Sequence, residues 1–200
     1  MKAATGAASW SSSGAGRGAG RWDEGAKLLN DHLDLNSRLM KEDEYAEKFI
    51  NLMDFDSKST VLDVGCGGGI LTIPLAKRIK RVTALDVSEV RINQVREKAR
   101  LENLSNIEYI CEDWRKVSLG DRVGRHDIVI ASRSLGMFDL RDELKKIDDA
   151  SSESVYISRN ANMEDIIRRD LHKIIGLEYH DLPSYIYVLN MLHRMGILAG

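Results

Sequence analysis

Between residues 60 and 160, short apolar runs alternate with segments whose apolar positions recur every three or four residues. The runs at 61–64, 81–85, 107–111, 127–131 and 154–158 predict five strands, each short and bounded by turn or helix signals. The segment 70–79 predicts a helix with Pro74 near its first turn, where a missing N–H costs little. Ser88 is placed to cap the next helix, which turns Ile92, Val95 and Ala99 to one face. Further helices are predicted over 140–147 and 164–175, and ahead of the first strand over 22–35 and 42–53. In the segment 42–53, Tyr45, Phe49, Leu52 and Met53 recur at helical spacing, which reads as core or lid. Short strands apolar on both faces and alternating with helices make a parallel sheet covered on both sides. Right-handed crossovers then make it a doubly wound α/β fold.

The two ends of the chain break this alternation. Residues 1–21 are rich in Gly, Ala and Ser around Trp10, Arg17 and Arg21, and read as a disordered extension. They lack the apolar core of a signal peptide. Residues 22–58 read as an N-terminal helical cap, and 59–200 as the ligand-binding domain. Near the other end, 185–189 has the composition of a strand. Tyr185, Leu189 and Leu192 also fit a helix over 185–195 stopped by Gly196, and the helix is the preferred reading.

Composition narrows the class. Two hundred residues with 43% apolar content and a formal charge of −2 suit a single domain with a real core. Lys and Arg do not outnumber Asp and Glu, which counts against a nucleic-acid partner. The cysteines, Cys66 and Cys111, form no C-x-x-C and read as free thiols of a reducing, cytoplasmic compartment. The five histidines show no metal-ligand spacing, so no metal is expected. No apolar stretch reaches the length of a membrane span, and no membrane partner is expected.

The chemistry concentrates at the first strand. Val61-Leu-Asp63-Val-Gly65-Cys66-Gly67-Gly-Gly69 runs into Ile70, and Asp86 follows 21 positions after Gly65 at the end of the second strand. Glycines let a backbone turn tightly and approach a ligand closely. A carboxylate at the tip of the next strand can accept both hydroxyls of a ribose. The pair reads as a pocket for an adenosine-containing cofactor; an ordinary strand–turn–helix joint is the plain alternative. A dinucleotide fingerprint, G-x-G-x-x-G, would need glycine at 70, where Ile70 stands.

The pattern D-x-G-x-G-x-G instead resembles the first motif of class I S-adenosylmethionine-dependent methyltransferases, over about residues 60–159. The resemblance implies a Rossmann-like sheet of order 3-2-1-4-5 with S-adenosylmethionine as cofactor and S-adenosylhomocysteine as product. It implies that Asp63, Gly65, Cys66 and Gly67 form the loop under the methionyl part. Asp86 would take the ribose, and Val87 would lie against the adenine face. Asp113 would accept from the adenine amine, Trp114 would cover the ring, and Ser132 would face the methyl group. Read from the residues themselves, Arg133 at the end of the fourth strand is either a fork for an anionic substrate or a solvent-exposed strand end, and Tyr185, with Tyr179 and Tyr187, either roofs the substrate pocket or simply packs. The chain lacks both the Asn/Asp-Pro-Pro-Tyr/Phe element of adenine-N6 and glutamine methyltransferases and the Pro-Cys pair of cytosine-carbon-5 enzymes. More narrowly, Trp22-Asp-x-x-Ala26, Ser132-Arg-Ser-Leu-Gly-Met137 and the segment 185–197 look like small uncharacterised methyltransferase-domain proteins of anaerobic microbes.

Family members continue with two antiparallel strands. Here only 25 residues follow Ile175, so a truncated form with those strands incomplete or missing is expected. The fifth strand would then be an open edge, covered by the segment 185–195 or by a second copy in a homodimer. The expected function is methyl transfer from S-adenosylmethionine to a small-molecule acceptor. An RNA or protein methyltransferase of the same fold, and a non-catalytic binder of the cofactor, are the alternatives.

Overall fold

The computed structural model describes residues 23, 42–135, 139–159 and 185–199. Helix α1 (Glu42–Ile50) precedes β1 (Thr60–Val64), α2 (Thr72–Ala76), β2 (Arg81–Asp86), α3 (Glu89–Leu101) and β3 (Ile107–Cys111). Then come β4 (His126–Ser132), α4 (Leu140–Ala150), β5 (Ser151–Ser158) and α5 (Tyr185–Arg194). The five strands form one parallel sheet of order β3-β2-β1-β4-β5, as the sequence implies. The expected extension 1–21, most of the first cap helix and the helix 164–175 lie outside the described residues.

Alternation along the strands builds two cores from one sheet. Val61, Val82, Ala84, Ile128 and Ile130 point to one face, where they meet Phe49 and Ile50 of α1, Leu75 of α2 and Val95 of α3. Leu62, Val64, Leu85, Val129 and Ala131 point to the other, against Ile147 and Ala150 of α4. The winding reverses between β1 and β4. There the Asp127 carboxylate accepts from the Thr60 backbone N–H at 2.7 Å and from its hydroxyl at 2.8 Å. These bonds hold the Asp127 carboxyl below its ordinary range.

Local chemistry explains the element ends. Ser88 is extended, and its hydroxyl accepts from the Arg91 N–H, so α3 starts where its cap predicts; Ile92, Val95 and Ala99 are buried. Helix α2 is shorter than the predicted 70–79. The left-handed Gly69 precedes it, and the Asn106 amide donates to the carbonyls of Ala76 and Ile79, stopping the ladder. Helix α1 ends at Ile50 instead of running to 53. The turn that follows swings Leu52 out to 78% exposure while Met53 stays in the core. Strand β5 begins three residues before the predicted 154, because its opening Ser-Ser-Glu carries no apolar signal; the Ser151 hydroxyl ties that start to the carbonyls of Asp127 and Ser154.

Helix α5, Tyr185–Arg194, bears out the preferred helical reading and stops one residue short of the expected 195, with the left-handed Gly196 in the turn that follows. Val188 of α5 packs on Leu140 and Leu144 of α4, with Ile157 of β5 alongside. Helix α5 thus covers α4 and part of the β5 face. Among the described residues no strand pairs with the outer edge of β5.

Candidate functional site

The carboxyl ends of β1, β2 and β4 meet at the glycine loop. Gly65, Gly67 and Gly69 all have positive φ, at 71°, 54° and 82°. The N–H groups of Gly65 and Cys66 both donate to the Leu85 carbonyl, at 2.7 and 3.0 Å, and lash the loop to β2. The Lys98 ammonium donates to the Gly68 carbonyl at 2.7 Å and pins it to α3. Each glycine meets a different surrounding. A Cβ on Gly65 would lie 2.3 Å from the Ser134 Cβ, and one on Gly69 would press on Val95 at 3.2 Å. A Cβ on Gly67 would meet nothing within 4 Å. Two glycines therefore serve packing, while the third faces open ground.

Asp63, two residues before the loop, is 2% exposed. Its carboxylate accepts from the Thr72 hydroxyl at 2.6 Å. Burial, with a smaller contribution from the Asp86 charge, pushes its pKa up to about 7 against the Thr72 bond. Asp63 therefore anchors α2 beneath the loop and does not face the open ground. Cys66 is buried as well, and burial raises its thiol well above the usual range.

Asp86 stands at the end of β2 with one oxygen on each neighbour. Oδ2 accepts from the Gly67 N–H and Oδ1 from the Ser88 N–H, both at 2.9 Å. Each carboxylate oxygen can accept more than one bond, so acceptor capacity remains for two ligand hydroxyls. Val87 beside it is half-buried. Asp23 also reaches this corner: its Oδ1 accepts from the Ser88 hydroxyl at 2.5 Å and from the Val90 N–H at 3.4 Å. The start of α3 thus carries two carboxylates, which its dipole favours.

The end of β3 differs from the expectation in one respect. Asp113 is at the rim, but Arg115 holds it with its backbone N–H and both arms of its fork, at 3.0, 2.9 and 2.5 Å. Those bonds lower the Asp113 pKa. Trp114, expected from the resemblance to cover a ligand ring, follows Asp113 into the turn after β3. It is 8% exposed and packs with Val117 and Val123 in the second core, under the Lys146 ammonium 4.5 Å from its ring centre. A helical turn from Asp113 to Val117 carries the indole inward, on the same side as Val117. Glu143, on the α4 turn before Ile147, is also buried, and burial raises its pKa to about 7.

The ends of β4 and β5 form the other bank. Ser132 and Ser158 are register partners, and Tyr45 of α1 reaches both hydroxyls, at 2.5 and 2.8 Å. Arg133 follows at φ 56°, its N–H donating to the Ser158 carbonyl, and its guanidinium lies 4.4 Å over the Tyr45 ring centre. Ser134 then touches Gly65 and donates to the Val64 carbonyl. Gly65, Gly67, Asp86, Val87, Ser132 and Arg133 thus share one rim, with Asp63 and Cys66 buried beneath it. Tyr185 is 54% exposed at the start of α5, whose buried side meets α4.

Asp23, Tyr45 and Ser158 stand at this candidate site and were missed or left as packing by sequence reasoning. Ser158 had a signal: two parallel strands both end in Ser, so their register sets the hydroxyls side by side. Nothing in the sequence period joins Asp23 to Ser88. Among the described residues no cluster of His, Cys, Asp and Glu fits a metal ion, and no helix is long and apolar enough to cross a membrane.

Comparison with known proteins bears on this rim. Residues 61–152 match the methyltransferase-domain family. An uncharacterised protein of Haemophilus influenzae is 30% identical over 90% of this chain and 64% of its own length. A malonyl-[acyl-carrier protein] O-methyltransferase of Acetivibrio thermocellus is 31% identical over 60% of this chain and 44% of its own. A 23S rRNA (uracil(1939)-C(5))-methyltransferase of Alcanivorax borkumensis is 29% identical over 65% of this chain and 29% of its own. The chain therefore spans less than two thirds of the length of these relatives. Among solved structures, a SAM-dependent methyltransferase from Aquifex aeolicus superposes with TM-score 0.60 and 23% identity, over 88% of this chain and 89% of that one. The magnesium protoporphyrin IX methyltransferase of Synechocystis superposes with TM-score 0.61 and 20% identity, over 78% of this chain and 71% of that one. Both share its fold.

Proposed function

We propose that the chain, whose residues 61–152 match the methyltransferase-domain family, is a class I S-adenosylmethionine-dependent methyltransferase that binds S-adenosylmethionine at the β1–β2 rim and transfers its methyl group to a small-molecule acceptor. The observation that carries the reading is the Asp86 carboxylate. It is fixed by Gly67 and Ser88 beside a glycine whose missing side chain leaves open ground. That arrangement fits a ribose on the carboxylate and a ligand chain passing over the loop.

When bound, the cofactor supplies a sulfonium whose methyl is already electrophilic. The protein's share is placement, and proximity alone can contribute up to roughly 7–11 kcal/mol. In this reading Asp86 accepts from the ribose hydroxyls and Val87 lies against the adenine. Gly65, Cys66 and Gly67 give the methionyl chain a backbone floor. Asp63 orients that floor from below through Thr72. Asp113 accepts from the adenine amine once Arg115 yields part of its hold. Trp114 supports the β3 turn from inside the core. Ser132 and Arg133 border the acceptor side, with Tyr185 proposed to contribute from α5. The near-neutral charge favours a small molecule over RNA. The two free thiols, Cys66 and Cys111, favour a cytoplasmic setting. The β5 edge, with which no strand pairs among the described residues, favours a homodimer, which sedimentation of the protein tests.

Calorimetry with S-adenosylhomocysteine should give micromolar binding. Incubation with S-adenosylmethionine and a size-filtered metabolite extract should release S-adenosylhomocysteine. Binding without turnover would make the protein a cofactor binder, and turnover only with the large-molecule fraction would move the acceptor to RNA or protein. Tight NADH binding in place of S-adenosylhomocysteine would overturn the cofactor.

A further inference from the structure

The sheet order separates two chemistries across the glycine loop. On the β2 side stand the carboxylates of Asp23 and Asp86. On the β4 side the guanidinium of Arg133 is exposed to solvent. Three elements converge to fix it. Tyr45 of α1 lays its ring under the guanidinium. The Tyr45 hydroxyl is tied to Ser132 of β4 and Ser158 of β5, so the ring cannot slide away without breaking both bonds. The Arg133 N–H donates to the Ser158 carbonyl, which sets where its side chain leaves the sheet.

The backbone strengthens the case. Among the described residues two non-glycines have positive φ, Asn103 and Arg133. Asn103 lies just past the end of α3, where asparagine is a common terminator. Arginine has no such local reason to be left-handed, and strain of this kind gathers at functional sites. An exposed guanidinium held on an aromatic face is a preorganised fork for a planar or tetrahedral anion.

Resting on the methyl-transfer reading above, we infer that Arg133, shelved on Tyr45, is the specificity-determining residue for an acceptor bearing a carboxylate or phosphate group. The acceptor's anion sits on the β4–β5 bank, opposite the ribose-binding Asp86. Its reactive atom is thereby directed to the loop between them. The methionyl carboxylate of the cofactor offers the same chemistry to a guanidinium, and the experiment separates the two sources.

A small-molecule extract is divided on an anion-exchange resin, and each fraction is tested for S-adenosylhomocysteine release by the wild type, Arg133→Asn, Arg133→Lys and Tyr45→Leu. Asparagine tolerates positive φ, so Arg133→Asn removes the cation while easing the backbone. S-adenosylhomocysteine affinity is measured for each variant as a readout of the intact fold. The expected result is activity in the retained fraction. Arg133→Asn should raise the concentration for half-maximal rate at least tenfold with S-adenosylhomocysteine affinity within twofold of wild type. Arg133→Lys should recover part of the loss, and Tyr45→Leu should fall between. Activity only in the unretained fraction, or an unchanged KM in Arg133→Asn, overturns the inference. A tenfold loss of S-adenosylhomocysteine affinity in Arg133→Asn, with 5′-methylthioadenosine affinity unchanged, also overturns it, because the guanidinium then serves the cofactor's carboxylate. No release from any fraction by the wild type would overturn the methyl-transfer reading itself.

Discussion

Replacing Asp86 tests the ribose assignment most directly. In the free protein its two oxygens accept one backbone N–H each, from Gly67 and Ser88, at 2.9 Å. A bound ribose would add one hydroxyl donor to each oxygen. Hydrogen bonds to a charged group contribute about 1.5–3 kcal/mol each, so Asp86→Ala should weaken S-adenosylhomocysteine binding by about 3–6 kcal/mol at the upper limit. At 1.4 kcal/mol per decade that is roughly two to four orders of magnitude in Kd. Asparagine keeps one carbonyl oxygen and replaces the other with a donor, which faces an N–H in either flip. Asp86→Asn should therefore lose affinity too, by less than Ala if the amide oxygen stays towards the ribose. Calorimetry of the three proteins at one pH and salt concentration gives the ranking. Melting curves check that the variants remain folded, since Asp86 also restrains the loop. Equal affinity in folded Asp86→Ala would refute the ribose role, leaving the carboxylate as a cap of loop and helix alone.

The glycines should divide by surrounding. Gly65→Ala should cost about 1–2 kcal/mol for φ 71°, and overlap with Ser134 should add about 1–3 kcal/mol, seen in denaturant titration. Gly67→Ala has no neighbour to strike, so it should fold with the φ cost alone yet lose S-adenosylhomocysteine affinity; intact affinity would mean that no ligand crosses that ground. Glu143 has a folded pKa raised to about 7 from 4.5, so the folded state keeps a proton that the unfolded chain releases. Its contribution therefore weakens folding as pH rises from about 4.5 to 7 and is constant above that, about 3 kcal/mol in all. Asp63 shifts in the same sense and stays in Glu143→Gln, so that variant should lose less stability between pH 5 and 8 than wild type; parallel losses would remove Glu143 from the account. Arg115→Gln should raise S-adenosylhomocysteine affinity several-fold by freeing Asp113, and unchanged affinity would take Asp113 out of adenine recognition.

The sheet was legible because its signals are local and repeated. Five apolar runs, the cap at Ser88 and the glycine triplet each follow from neighbouring residues, and parallel order follows from their alternation with helices. The loop and Asp86 were legible for the same reason, being strand tips with a fixed spacing. What was not legible depends on direction or on distant partners. Trp114 follows a strand by three residues, and only the intervening turn decides that its ring faces inward. Leu52 and Met53 are adjacent, and one terminal turn of α1 sends them opposite ways. Asp113 was read as available because nothing in the sequence shows that Arg115 folds back on it. Tyr45 was read as core or lid, yet its hydroxyl joins strands that lie 87 and 113 residues further along the chain.

The reversal of winding between β1 and β4 has a kinetic consequence. Strands β1, β2 and β3 pair with neighbours in sequence, so that half of the sheet can zip from short loops as soon as it is synthesised. The β1–β4 pair, closed by Thr60 and Asp127, joins residues 67 apart, and its ordering cost falls due before its contacts repay it. Asp127→Ala should then slow refolding more than a substitution of equal stability cost at the β2–β3 seam. A chain arrested before β4 would hold a three-stranded half-sheet with one raw edge, the species that a chaperone would be expected to meet on the ribosome.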